Sequence, residues 1–239
     1  MLDGHAAAPG PGDVGYALAR DTFVNKAESR VWGELLELGT RLHFGRNDML
    51  IVAGTPSDHV LLIEHGLVKV LLPGEGRDLV VGFYGPGELM GEQGVLFSEA
   101  RSATVVAHTP GTATRVPGRL FRRYVERNPA VLGALYGILR ERLRKADQRQ
   151  QSLVGQDVPT RVARQLLAWS ETLGTRTADG VTISGLSRKD LAQCIGAGET
   201  TVDAVLKDLT SLGLVRTHWR KYVLPSPRRL LDHITNQVK

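Results

Sequence analysis

Between about Arg41 and Pro117 the chain alternates short apolar runs with turn residues: "RLHF", "DMLIVAG", "HVLLIEHG", "LVKVLLPGEG", "LVVGFYGPG", "ATVVAHTPG" and "TATRV". Runs of this length, closed by Gly and Pro and without a helical period, predict short antiparallel strands in a sandwich or barrel. The period then changes. From Leu120 to about Leu153 apolar residues recur at Leu132, Leu135, Leu139, Leu143, Ala146 and Leu153, mostly in steps of three and four, which predicts a long helix. Pro129 suits the first turn of that helix. The stripe has two readings. It packs on its own barrel, or it forms a seam between two copies, because its flanks in "RERLRKADQRQ" are otherwise charged all round.

"VGQDVPT" breaks the pattern, and "RVARQLLAWSETLG" resumes as a helix ending at Gly174. "TRTADGVTISG" reads as a short hairpin. The remainder reads as helix ("LSRKDLAQCIG"), turn, helix ("AGETTVDAVLKDLTSLG"), hairpin ("LVRTHWRKYVLPSP") and a last helix ("RRLLDHIT"). Ser187 and Asp190 have the spacing of a capping box, and Gly196 supplies the corner. Two helices across a tight turn, followed by a basic hairpin, predict a winged helix-turn-helix that lays its second helix in a major groove. An ordinary pair of packed helices is the competing reading. Arg216, His218, Arg220 and Lys221 favour the first, since a basic wing can lie against phosphates.

Composition narrows the class. The chain has 239 residues, 42% of them hydrophobic, enough for two modest domains. Its net charge of +5 favours an anionic partner weakly, and residues 156–239 carry 12 Lys/Arg against 8 Asp/Glu. A single cysteine, Cys194, excludes a disulfide framework and a four-cysteine metal or cluster site within one chain, and suggests the cytosol. The opening "MLDGHAAAPGPGDVGYALAR" reads as a disordered tail without the features of a signal peptide. No stretch approaches the roughly 18 apolar residues of a membrane span, so a soluble, cytoplasmic protein is expected.

The stretch with the most chemistry is "GEQGVLFSEARSATVVA" at 91–107. A phosphate needs backbone amides aimed at it and one fixed bidentate cation. Gly85, Gly87, Gly91 and Gly94 permit close backbone approach, "EQGVLF" can form a single helical turn, and Arg101 is the cation. Ser102 adds a hydroxyl donor, and Glu92 can accept from a ribose hydroxyl. Together they suggest a sugar-phosphate cradle. The competing reading is a Glu92–Arg101 salt bridge that stiffens the sheet without any ligand.

"GPGELMGEQGVLFSEARSATVVAHT" resembles the phosphate-binding cassette of cyclic-nucleotide-binding domains: Gly-Glu, about eight residues, then Arg-Ser/Ala-Ala. "NDMLIVAGTPSDHVLLIEHGLVKV" is similar to the first hairpins of that β-roll. "DVPTRVARQLL" resembles the hinge and first DNA-domain helix of the cyclic-AMP receptor protein/FNR family of bacterial transcription regulators. The similarity spans roughly residues 31–235. It implies an α+β fold: a tail over 1–22, an antiparallel β-roll over 23–128, a dimerisation helix over 129–154 and a winged helix-turn-helix over 155–239. It also implies that Glu92 binds the ribose 2′-hydroxyl and Arg101 the cyclic phosphate, with Ser102 and amides near Gly91 and Ala103 completing the cage. Arg142 lies where the family often has an arginine that reaches the cassette acid.

Two departures matter. The family's adenine-touching hydroxyls on the long helix are replaced by Ala146 and Asp147; Asp147 can accept from an exocyclic amino group but sets a negative charge near an anion. On the recognition helix, family arginines give way to Glu199 and Ala204, with Thr200, Thr201 and Asp203 alongside. That points to a different operator, or to binding that leans on the wing and Lys207, with Ser187 at the start of the first helix.

The leading expectation is a homodimeric regulator that binds double-stranded DNA in response to a cyclic nucleotide, cyclic AMP or another, with RNA polymerase as a further implied partner. No resident cofactor, metal or membrane is expected. Ligand-independent DNA binding stays open, as does a protein-interaction role for the helix-turn-helix. A haem sensor would need His43, His59, His65 or His108, and no spacing selects one. No nucleophile, acid/base pair or metal-spaced cluster indicates an enzyme.

Overall fold

The computed structural model describes residues 22–74 and 78–236. Most of the tail expected over 1–22 lies outside them; Thr22, the first described residue, is buried.

Two short helices, α1 (Phe23–Lys26) and α2 (Ser29–Glu37), lead into eight strands: β1 (Thr40–Phe44), β2 (Met49–Ile51), β3 (His59–His65), β4 (Val68–Leu72), β5 (Leu79–Tyr84), β6 (Leu89–Met90), β7 (Thr104–Ala107) and β8 (Gly111–Pro117). They form two antiparallel sheets, in the orders β1-β8-β3-β6 and β2-β7-β4-β5. β3 shows why the roll is stable. Its residues 60–63 are all buried, because successive side chains point to opposite faces and both faces are covered. Leu61 and Ile63 join Phe44, Val68 and Val105 inside the roll. Val60 and Leu62 join Phe23, Leu35 and Phe121 under the helices.

Between β6 and β7 sits a short helix, α3 (Glu92–Phe97). After β8 come α4 (Gly118–Arg127) and the long α5 (Ala130–Gly155). The helical text thus breaks at Asn128, where φ −128° and ψ 75° leave the helical region. α5 carries two faces. Val131, Ala134, Leu135 and Ile138 pack on the roll. Leu132, Tyr136 and Leu143 are exposed. This corrects the expected stripe: Leu135 belongs to the roll-facing side, and Tyr136 takes its place on the outer one.

The C-terminal domain comprises α6 (Val158–Thr172), β9 (Gly174–Thr177), β10 (Gly180–Ser184), α7 (Arg188–Ile195), α8 (Glu199–Ser211), β11 (Arg216–His218), β12 (Lys221–Leu224) and α9 (Pro227–Asn236). Asp157 caps α6 through the Thr160 amide at 2.9 Å. Ser187 and Asp190 form the capping box of α7, and Gly196 ends that helix at φ 64°, a conformation favoured by glycine. The strands pair in the order β11-β12-β10-β9, the last pair of the chain making the wing.

The two halves share an apolar core. Val80 of β5 is fully buried within the C-terminal cluster, with Leu71 and Phe83 packed against it. Phe83 stands edge-on to His108 at 5.0 Å and to Trp169 at 5.9 Å. Polar ties surround this patch: Lys69 Nζ lies 3.4 Å from Asp190 Oδ1, His108 Nε2 donates to the Gly185 carbonyl at 3.0 Å, and Arg149 donates to the Val81 carbonyl.

Candidate functional site

Gly91 and α3 place the cassette residues. Gly91 caps α3 at φ 84°, and a Cβ there would stand 2.4 Å from Arg101 Nη1, so only glycine lets the arginine lie across this backbone. Arg101 Nη1 donates to the Gly91 carbonyl at 2.8 Å, and Nη2 donates to the carbonyl of His59. Asp58 Oδ1 is 3.8 Å away, and Arg115 pairs with the same aspartate. The loop carrying Arg101 is pinned to 54–55 by two backbone bonds, Gly54 N to Arg101 O and Arg101 N to Thr55 O. In that loop Ser102 is exposed and Ala103 half-buried.

Glu92 is 1% exposed. Its Oε1 accepts from Arg142 Nη1 at 2.6 Å, while Oε2, also buried, meets no hydrogen-bond partner among the described residues. Arg142 also donates to the Leu89 carbonyl at 2.7 Å, stands 3.9 Å from Glu88, and lies over the Tyr84 ring at 5.5 Å. The long helix therefore grips the cassette acid directly. Burial lowers the Arg101 guanidinium from its usual value, with Asp58 and then Glu92 pulling the other way.

Asp147 is not part of this group. It follows Arg142 by five positions, about 140° around the helix, and is exposed on the side away from Arg142 and Arg149. The arrangement also brings in three residues that the cassette reading did not include: His59, Tyr84 and Glu88. Glu88 carried a signal, since it is an acid in the near-apolar run "GELMG".

Burial pushes the Glu88 carboxyl up to about 7, against the pull of Arg142. Below the usual 4.5 the group is protonated in both folded and unfolded chains; between 4.5 and about 7 only the folded chain keeps the proton, so this contribution falls as pH rises. Glu88→Gln is expected to flatten that dependence and to gain at most about 3 kcal/mol above pH 7. Denaturant unfolding of both proteins across pH is the check; parallel curves would reject it.

On the C-terminal domain, Glu199, Thr200, Thr201, Ala204 and Lys207 are exposed along α8. Asp203 is paired with Arg188 at 3.0 Å, which offsets one of the three acids of α8, Glu199, Asp203 and Asp208. Ser187 is consumed in the capping box. In the wing, His218 and Lys221 are exposed. Arg220, expected as a phosphate contact, turns its guanidinium inward onto the Gly185 carbonyl, 3.4 Å from His108 Nε2. The left-handed φ of 50° at Arg220 turns it that way.

The histidines His43, His59, His65 and His108 do not converge; among the described residues no group of three His, Cys, Asp or Glu could hold a metal. Burial pushes the Cys194 thiol up to about 12, leaving it an apolar core residue. Among the described residues no helix is long and apolar enough to cross a membrane. Clefts of about 440 and 420 Å³ lie in the C-terminal domain, lined by residues such as Asp208 and His233 or Arg176 and Arg228, apart from the cradle.

Residues 41–128 match the cyclic nucleotide-binding domain, and residues 160–233 the Crp-like helix-turn-helix domain. A CRP-like cAMP-activated global transcriptional regulator of Mycobacterium tuberculosis is 26% identical over 215 residues, 89% of this chain and 96% of that protein. The cAMP-activated global transcriptional regulator CRP of Pasteurella multocida is 30% identical over 183 residues, 75% of this chain and 87% of that one. Among solved structures, the c-di-GMP responsive global regulator CLP of Xanthomonas campestris superposes with a TM-score of 0.73 at 23% identity, over 82% of this chain and 99% of that one. A CooA mutant from Carboxydothermus hydrogenoformans gives 0.71 at 20% identity, over 84% and 89%.

Proposed function

The chain belongs to the CRP/FNR family of transcription regulators, and from that membership we propose that a cyclic nucleotide held by Glu92 and Arg101 controls DNA binding by a homodimer. The related sequences are transcription regulators rather than enzymes.

The observation that carries this reading is the buried, unpartnered Oε2 of Glu92 beside an Oε1 held by the long helix. A buried acceptor without a donor costs about 1–3 kcal/mol, and a ribose hydroxyl would supply the donor. The phosphate requires more. Arg101 must exchange the Gly91 and His59 carbonyls for phosphate oxygens, with Ser102 and the amides near Gly91 and Ala103 as further donors. Binding there changes the partners of Glu92 and hence the grip of α5, through Arg142, on the cassette. The ligand shifts the equilibrium only by its preference for one arrangement. The outer stripe of α5 serves as the dimer seam, and RNA polymerase is the further partner implied by the family.

Two of the relatives named above are cAMP-activated and one is c-di-GMP responsive, so both nucleotides belong in the test along with cyclic GMP. Thermal unfolding with each nucleotide is expected to show selective stabilisation by one, about 2.7 kcal/mol at a hundredfold excess over Kd. Arg101→Glu abolishes it. Equal binding by the variant in calorimetry would remove the cassette assignment.

One observation favours a second reading. Arg101 is already satisfied by two carbonyls, as in a roll that needs no ligand. In that case no nucleotide shifts the transition, and the protein binds DNA unaided.

A further inference from the structure

At the tip of the wing, between His218 and Lys221, the hairpin turns through Trp219 and Arg220. Trp219 is 89% exposed, the most exposed of the large apolar side chains described. Any small polar residue could make this turn, and the indole held there has its apolar faces open to a partner surface. The mount of this ring is fixed rather than loose. Arg220 holds a left-handed φ, its guanidinium is tied to the Gly185 carbonyl, and its Cζ stands 5.9 Å from the Trp219 ring. Basic side chains flank the ring: Arg216 on β11, which also pairs with Asp179 at 3.5 Å, and the exposed Lys221 on β12, with the exposed His218 between them in sequence.

We propose that Trp219 packs against the minor groove of the duplex beside the major groove entered by α8, its ring lodged between the sugar walls or wedged at a base step. The inference rests on the reading that this domain binds duplex DNA, and deepens it by assigning the wing a contact that is not a salt bridge to phosphate. Charge complementarity selects the partner: a ring rimmed by cations suits a polyanion with apolar sugar faces. The surface is continuous with the DNA-binding face, since β11 follows α8 after the turn at Gly213. It also supplies what α8 lacks. The exposed positions at the start of α8 are Glu199, Thr200 and Thr201, and its outward cation is Lys207. Non-electrostatic contact at the wing compensates for a recognition helix poor in phosphate-seeking charge.

The test uses full-length protein and the duplex that wild type selects from a randomised library. Trp219→Ala is expected to weaken binding by about 10-fold or more at every salt concentration, with the salt slope unchanged, whereas Trp219→Phe keeps most of the affinity. Lys221→Ala is the comparator: it lowers the slope. Tryptophan emission adds a direct readout, because Trp169 is 3% exposed and Trp32 only partly exposed. Emission of wild type should quench on adding duplex, and that of Trp219→Phe should not. Wild-type affinity in both Trp219 variants without quenching overturns the proposal. A salt slope in Trp219→Ala that falls as in Lys221→Ala also overturns it, by showing that the wing acts through charge. If wild type selects no duplex, the DNA-binding reading falls together with the proposal.

Discussion

Arg142→Ala is expected to destabilise the protein by about 3–5 kcal/mol, the usual cost of stripping one partner from a buried ion pair. The cause is what remains. Glu92 is 1% exposed, one of its oxygens already has no partner, and the other would lose its donor. Glu88, also buried, would lose its neighbouring cation, and the Leu89 carbonyl its hydrogen bond. Adding Glu92→Gln to the variant removes the stranded charge and should recover a substantial part of the loss. Denaturant unfolding of wild type, both single variants and the double variant gives the coupling. If the double variant is no more stable than Arg142→Ala, the pair is not what holds α5 to the cassette.

Leu143→Glu should act on assembly instead. Leu143 is 63% exposed and Tyr136 69%, while Leu132 and Val154 continue the line along α5. Spacings of about four, seven and eleven keep such a line on one helix face, where a second copy can interlock with it. A glutamate at this place sets two carboxylates against each other across the seam at no cost to the isolated chain. Sedimentation should then show monomers, and affinity for a two-half-site duplex should fall by about 100-fold or more, or ~2.7 kcal/mol. A variant that still sediments as a dimer would move the seam elsewhere.

The roll and the helix-turn-helix were legible because their signals are local: apolar runs closed by Gly and Pro, a capping box at Ser187, a glycine at 196. The cassette was legible as a spacing between Glu92 and Arg101. What escaped depends on contacts distant in sequence. Leu135 and Tyr136 are neighbours in the chain, and only the packing of Phe23 and Phe121 decides which is covered. Arg220 read as one more cation of the wing; a backbone angle and the Gly185 carbonyl turn it inward. Asp147 follows Arg142 by five positions, and helical geometry rather than sequence spacing sets it on the exposed side of α5. His108 looked like a stray histidine and proves to be a donor between domains. Burial holds its imidazole below the usual range, although Asp190 and the Gly185 carbonyl pull the other way.

The insertion of Val80 and Phe83 among the residues around Trp169 has a practical corollary for anyone dissecting this molecule. A C-terminal fragment cut at the Gly155–Asp157 hinge would be born with a bald greasy spot where that hairpin belongs, and would tend to self-associate. The β-hairpin left behind on the other fragment would be equally sticky. Domain swaps with relatives would therefore succeed only when the hairpin and its seat travel together.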